Sequence, residues 1–358
     1  MSAAKPRKSM AYQRRIIAED PKWNLSTVPL LSELMLTKIV KDFKSFPRLN
    51  DLPTEKQRQI VLDALPVTLP LKITANLIDD DSYWQKVSES RWPLKLPDEG
   101  VTWKQMFFEE HFQSVIELYM PQEDENTDKV NIERPKTLND IVELAKLTKD
   151  FIKKLEIDQL LPPISGETND KLDLEKCLAP LDNLESLSVT YQVKKCGMNF
   201  EWRLFDFTQN DCENLVKTCL AKKSTLSTVK IPRSNLTCKL TRTFCAHMLK
   251  HESLVHLDLS RNEIRDSGAR GISKLMTSVQ SLRVLKIGDN RIGNDGCKAL
   301  AAALVKDECQ IEQLEIEQNS FDDDASAAIM DRILKKLEII TRIEHILLAF
   351  SVVAKLIF

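Results

Sequence analysis

The apolar positions in the second half of the chain recur as a fixed unit. Leu254, Leu257, Leu259, Asn262 and Ile264 align with Leu282, Leu285, Ile287, Asn290 and Ile292, and again with Ile311, Leu314, Ile316, Asn319 and Phe321. Each copy reads L-x-x-L-x-L-x-x-N-x-L, and the asparagines fall 28 and 29 residues apart. One period upstream, Leu226, Val229, Ile231 and Leu236 fit the same frame with Ser234 in the asparagine position. A further copy opens with Leu184, Leu187 and Val189, 42 residues earlier, which is one 28-residue period plus 14 inserted residues; Gln192 takes its asparagine position.

In each copy the L-x-L pair predicts a short strand whose alternate side chains point inward. The asparagine turns the chain, and its amide can satisfy backbone groups of the stacked units; Ser234, Asn262, Asn290 and Asn319 are the expected turn residues. Returning helices are predicted over Ser267–Met276, Asp295–Val305 and Asp324–Leu337, where apolar residues recur at three-to-four spacing. No single unit buries its own apolar face, so the stack is stable only collectively. This pattern is similar to the leucine-rich repeat. The likeness implies an α/β solenoid, a horseshoe of period 28–29 with a strand plus a helix in each unit.

The first half has a different pattern. In Pro29–Phe43, Leu31, Leu34, Met35, Ile39 and Val40 share one helical face. Thr54–Leu65 is a second amphipathic stretch, with Thr54 as N-cap and Pro66 as its stop. Further helices are predicted over Ser82–Ser90, Thr102–Leu118 and Leu138–Leu155, while the acidic, proline-bounded Pro121–Pro135 reads as a solvated loop. The expected division is a basic N-terminal arm over 1–20, a mainly α-helical N-terminal domain over 21–157, a linker over 158–172, the repeat domain over 173–338 and an atypical apolar tail over 339–358.

Composition narrows the chemistry. With 358 residues, 42% of them apolar, both halves can bury a core. A net charge of −2 gives no global field for nucleic acid or membrane. Only 8 glycines are present, and neither G-x-G-x-x-G nor G-x-x-x-x-G-K occurs, so no phosphate cradle of either common type is expected. All 8 cysteines lie from Cys177 onward without zinc-type spacing. Together with a polar, basic N-terminus, they predict reduced thiols in a cytosolic protein. The apolar stretch Ile346–Ala354 is too short to span a bilayer.

Apparent catalytic clusters dissolve on inspection. His251, Glu252 and His256 resemble H-E-x-x-H, but the second histidine is one residue late and falls on a predicted strand. Cys196, Cys212 and Cys219 have no histidine nearby in sequence and read as small buried apolar residues. Asp322–Asp324 sit at a helix start, where carboxylates act as caps. No enzyme, cofactor or metal is therefore expected, and recognition by a scaffold remains. The outward strand residues Thr228, Lys230, His256, Asp258, Ser260, Val284, Lys286, Gln313, Glu315 and Glu317 form the expected concave protein-binding surface. In the N-terminal arm, Lys5, Arg7, Lys8, Arg14 and Arg15 precede any acid and suit an acidic surface such as tubulin; no basic–aromatic alternation points to nucleic acid.

The insertion Val193–Cys212 closely resembles the T-complex-associated testis-expressed protein 1 family, the dynein regulatory complex subunit 5 family. Arg14–Trp23, Thr74–Ile78 with Tyr83 and Trp84, Arg91–Pro93, Trp103–Glu109 and Asp158–Pro163 resemble it too, so that the likeness covers roughly 12–330. The resemblance implies a non-catalytic subunit of the nexin–dynein regulatory complex, in the cytoskeleton of the ciliary and flagellar axoneme. It implies other subunits of that complex as partners, and the doublet microtubule directly or indirectly, with the basic arm as candidate contact. Two departures stand out: residues 339–358 break register where the family's repeats continue, and Gln192 and Ser234 replace the first two turn asparagines. A competing resemblance, to an F-box over about 51–92 (Leu52, Pro53, Ile60, Leu65, Pro66, Trp84, Trp92), implies a substrate adaptor of a cullin ubiquitin ligase.

Overall fold

The computed structural model describes residues 30–119, 137–162, 169–194, 201–327 and 329–331. Chain contacts divide it into two compact units, one up to Lys95 and one from Leu96.

The first unit is helical: α1 (Leu31–Asp42), α2 (Glu55–Ala64), α3 (Leu71–Thr74) and α4 (Asp81–Arg91). Caps set the helix starts: Thr54 is the N-cap expected of α2, and Asp80 caps α4, which runs one residue beyond the expected Ser82–Ser90 at each end. Thr54 Oγ1 accepts the Gln57 N–H (3.3 Å), and the Asp80 carboxylate accepts that of Tyr83 (2.9 Å). Phe43, Leu65, Ile78 and Trp84 are fully buried, and the Trp84 indole donates to the Ile78 carbonyl (2.8 Å). The expected apolar face of α1 is not a core face. Leu31, Leu34 and Met35 are exposed, Ile39 and Val40 are half-buried, and no residue of the helix is fully buried. Phe43, just past its end, enters the core instead.

The second unit opens with α5 (Trp103–Glu117) and α6 (Leu138–Thr148). It then alternates β1 (Lys154–Ile157), α7 (Leu174–Leu178), β2 (Ser186–Val189), a short 3-10 helix over Trp202–Phe205 and α8 (Gln209–Ala221). From there it runs β3 (Thr228–Lys230), α9 (Cys238–Met248), β4 (His256–Asp258), α10 (Arg265–Ser278), β5 (Val284–Lys286), α11 (Asn294–Leu304) and β6 (Gln313–Glu315). The six strands form one parallel sheet in chain order, each connected to the next through a helix. This is the α/β solenoid that the repeat predicts.

Register explains the repeat's leucines. Leu155, Leu187, Val229, Leu257, Leu285 and Leu314 stand in one paired row across the sheet, all buried. Leu184, Leu226, Leu254 and Leu282 precede their row members by three residues and are fully buried as well. A one-residue slip in any strand would turn these rows outward, so the register is strongly fixed.

The structure differs from expectation at the front of the sheet. A helix is predicted over Leu138–Leu155, yet α6 ends at Thr148 and Lys154–Ile157 is a strand paired with β2. Ile152, Leu155, Ile157 and Leu160 are all buried at repeat-like spacing, so burial by two-residue alternation overrides the helical pattern here. The sheet thus begins upstream of residue 158. At the other end, residues 323–327 and 329–331 are helical, and the rest of the expected Asp324–Leu337 helix lies outside the described residues, as do the basic arm and the 339–358 tail.

Candidate protein-binding face

The outward positions of the six strands form two rows. One runs Lys154, Ser186, Thr228, His256, Val284, Gln313; the other runs Glu156, Ser188, Lys230, Asp258, Lys286, Glu315. Thr228, Lys230, His256, Asp258, Val284, Lys286, Gln313 and Glu315 are therefore side by side on one face, each half-buried. Ser260 and Glu317 lie two residues past the ends of β4 and β6. Sequence reasoning missed Lys154, Glu156, Ser186 and Ser188; the Leu155-x-Ile157 alternation was the signal that could have found the first pair.

The second row alternates in charge along four strands: Lys230, Asp258, Lys286, Glu315. Lys286 and Glu315 pair at 2.8 Å, and Glu315 also accepts from the Gln313 amide (2.8 Å). Asp258 instead turns to Ser260, accepting from its N–H (2.9 Å) and hydroxyl (2.7 Å). His256 sits among them with Nε2 buried and without a hydrogen-bond partner. Burial, then the neighbouring Lys230 and Lys286 charges, push its pKa below the ordinary histidine value. A face of alternating, half-desolvated charges is chemically suited to register a complementary protein surface.

The turn residues hold this face rigid. Asn262 Oδ1 accepts the N–H groups of Ser234 (2.9 Å) and Leu236 (3.0 Å), while its amide donates to the Ile231 (2.7 Å) and Leu259 (3.0 Å) carbonyls. Asn290 accepts from Asn262 N–H (3.1 Å), and Asn319 accepts from those of Asn290 and Ile292 (both 3.0 Å). Where Ser234 replaces asparagine, its Oγ accepts the Tyr191 N–H at 3.0 Å, so the ladder continues through a shorter side chain. The residue before each turn position, Arg233, Arg261, Asp289 or Gln318, is left-handed with φ between 49° and 57°. None is glycine, so stacking sustains a conformation that costs an isolated residue about 1–2 kcal/mol.

The histidine, cysteine and aspartate candidates occupy separate places. His251 is buried in the turn before β4, whereas His256 lies on the strand itself. Among the described residues no group of three or more His, Cys, Asp or Glu side chains is arranged to hold a metal. Burial pushes the thiols of Cys212 and Cys219 up to about 12, and Cys196 lies outside the described residues. Asp322 Oδ1 accepts the Ala325 N–H (2.9 Å), the cap expected of it.

Comparison with known proteins agrees with this geometry. The leucine-rich repeat profile matches residues 250–273 and 280–301, which hold β4, most of α10, β5 and most of α11. Dynein regulatory complex subunit 5 of mouse is 38% identical over 282 residues, covering 73% of this chain and 54% of its own length. The human protein of that name is 38% identical over 294 residues, covering 75% and 55%. The chain is a leucine-rich-repeat homologue of dynein regulatory complex subunit 5. A more distant relative of the same name, from Chlamydomonas reinhardtii, is 27% identical over 243 residues, covering 67% of this chain and 49% of its own. The mouse and human matches are longer than the expected repeat domain, 173–338, so the likeness to dynein regulatory complex subunit 5 extends beyond the generic repeat. The chain spans about half the length of these relatives.

Proposed function

We propose that the chain is a non-catalytic structural subunit of the nexin–dynein regulatory complex and that the concave face of its sheet holds a neighbouring subunit. The observation that carries the reading is the 38% identity, over about three quarters of this chain, to proteins named dynein regulatory complex subunit 5. The alternating row Lys230, Asp258, Lys286, Glu315 supports the face chosen. Nearest-neighbour stacking makes it a stiff, extended surface suited to transmitting load.

On this reading the protein resides in the axoneme of motile cilia and flagella, where the complex links doublet microtubules and restrains dynein-driven sliding, and so shapes ciliary and sperm motility. The helical N-terminal region anchors it to the other subunits, and the basic arm with Lys5, Arg7, Lys8, Arg14 and Arg15 reaches the doublet.

The test is extraction of tagged protein from motile cilia. Retention on the axoneme through detergent and high salt, with loss in cells lacking the regulatory complex, is the expected result. Release into the soluble fraction together with a cullin adaptor would overturn it in favour of the ubiquitin-ligase reading. Exchanging charges on the face (Lys286→Glu with Glu315→Lys) preserves the internal ion pair and inverts the pattern, so it should weaken capture of neighbouring subunits without unfolding the chain.

A further inference from the structure

The helical side of the solenoid carries a second surface, independent of the concave reading. We propose that the groove between α9 and α10 binds an extended, glutamate-rich polypeptide segment. The groove measures about 870 Å³, and Lys239, Arg242, Arg270 and Lys274 line it, with no acidic residue in its lining. On each helix these residues fall at spacings of three and four, so each helix turns one basic shoulder toward the groove.

Among the described residues these cations stand without counterions of their own, whereas other cations of the second unit are paired: Lys223 with Glu252, Arg283 with Glu312, Arg291 with Glu263. The charged ends of Lys239, Arg242, Arg270 and Lys274 make no ion pair or hydrogen bond among the described residues, and all four are exposed. No Asp or Glu occurs in α9, and the single acid of α10, Asp266, is occupied by the N–H groups of Gly293 and Gly296 (both 2.8 Å). Like charges three or four residues apart repel, and an anionic chain lying between the helices relieves both repulsions at once.

The floor selects among anions. Ala246 and Leu249 present apolar surface between the basic rims, matching the methylenes of a glutamate side chain whose carboxylate reaches outward. No aromatic residue lines the groove to stack a base, and no cluster of large apolar side chains projects from it to enter a bilayer.

The test titrates the full chain against a fluorescent oligoglutamate peptide and reads anisotropy at low and moderate salt. Saturable, salt-sensitive binding is expected, with an affinity loss of about tenfold or more in Arg242→Glu/Arg270→Glu and a smaller loss in the corresponding double glutamine variant. Circular dichroism and melting confirm that these exposed changes leave the fold intact. The Lys286→Glu/Glu315→Lys protein should bind the peptide like wild type, which separates this site from the concave face. Absent binding, binding unchanged in the groove variant, or binding lost in the concave variant would each overturn the proposal. So would loss of single-stranded RNA or phosphoinositide-vesicle binding in the groove variant with oligoglutamate binding retained.

Discussion

The Glu109 carboxylate on α5 accepts the backbone N–H of Lys154 at the head of β1 (2.9 Å), and that of Lys153 beside it (3.0 Å). β1 is an outer strand of the sheet, whose outward N–H groups have no strand to pair with among the described residues. Two turns further along α5, Glu117 takes the Asp158 N–H (2.8 Å) in the same way. Each glutamate is steadied by the glutamine four residues before it: Gln105 donates to Glu109 (3.0 Å) and Gln113 to Glu117 (2.9 Å). α5 is thus the cap that an open solenoid requires, built from carboxylates rather than from another strand.

Removing that cap should be measurable by urea unfolding. Glu109→Ala leaves two N–H groups without their acceptor and should lower stability by about 1–3 kcal/mol. Glu109→Gln keeps an oxygen acceptor and should cost less. Burial pushes the Glu109 carboxyl above its usual 4.5, against the pull of Gln105, Lys154 and Lys153. The folded state therefore holds this proton more tightly than the unfolded state. The proton-linked contribution of Glu109 is complete below 4.5 and is lost as pH climbs through the window just above it, a trend absent from Glu109→Gln. An alanine variant as stable as wild type would show that β1 needs no cap.

The asparagine ladder predicts a larger and more local effect. Asn290 is fully buried; its Oδ1 serves the Asn262 N–H, and its amide serves the Leu259 (2.9 Å) and Gly288 (3.0 Å) carbonyls. Asn290→Ala strands three backbone groups and should cost about 3–5 kcal/mol, near the upper range for a single substitution. Native-state hydrogen exchange should show the loss centred on residues 259–264 and 288–292. Uniform loss across the sheet would mean that the ladder is no weak point of its own.

How much of this was legible in the sequence depended on the period of each signal. Pairs such as Val229-x-Ile231, Leu257-x-Leu259 and Leu285-x-Ile287, each with a serine or asparagine three residues on, repeat at fixed distance. Strands β3 to β6 and their turn residues could therefore be placed from spacing alone. β1 carries the same burial with Ile152, Leu155, Ile157 and Leu160 but has no turn asparagine, and it follows a genuine helix without a break in apolar spacing. The outward rows follow from alternation once the strands are known, which is why Lys154 and Glu156 go unread along with β1. The α9–α10 groove was invisible for another reason. Lys239, Arg242, Arg270 and Lys274 read as ordinary solvated positions until packing shows two basic shoulders facing one another.

The same contrast between local and stacked information governs α11. Its N-cap, Gly293, has no side chain to offer, and the capping oxygen comes from the preceding repeat: Asp266 Oδ1 accepts from Gly293 and Gly296 at 2.8 Å each. Asp266→Ala should therefore cost about 1–2 kcal/mol, as loss of a helix's own cap does. Gly296 makes the close approach possible, since a Cβ there would lie 2.6 Å from both Asp266 Oδ1 and Ile292 Cγ2. Gly296→Ala should destabilise by about 1–3 kcal/mol through overpacking that displaces the same carboxylate. Because both changes break one contact, the double variant should lose less than the sum of the singles. Strict additivity in a thermal-melt cycle would show that the cap survives the alanine.

The buried histidine His251 sets an acid limit on the repeat unit. It is 3% exposed, and burial pushes its pKa below the usual 6.5, outweighing the opposite pull of the Cys219 backbone. Below 6.5 the unfolded chain then binds a proton that the folded chain refuses, so stability is complete above that pH and falls as pH drops through the window beneath it. His256 adds to the same slope through burial and the Lys230 and Lys286 charges, and the two sites belong to neighbouring positions at the head of β4. His251→Leu is expected to change overall stability through its altered shape, so the level is uninformative and the slope is the readout. Urea midpoints measured from about pH 7.5 to 5, a range spanning the ordinary histidine pKa, should fall more steeply in wild type than in His251→Leu. The curves should be flattest when His256→Gln is added. Parallel curves for all three proteins would place the acid sensitivity elsewhere in the fold.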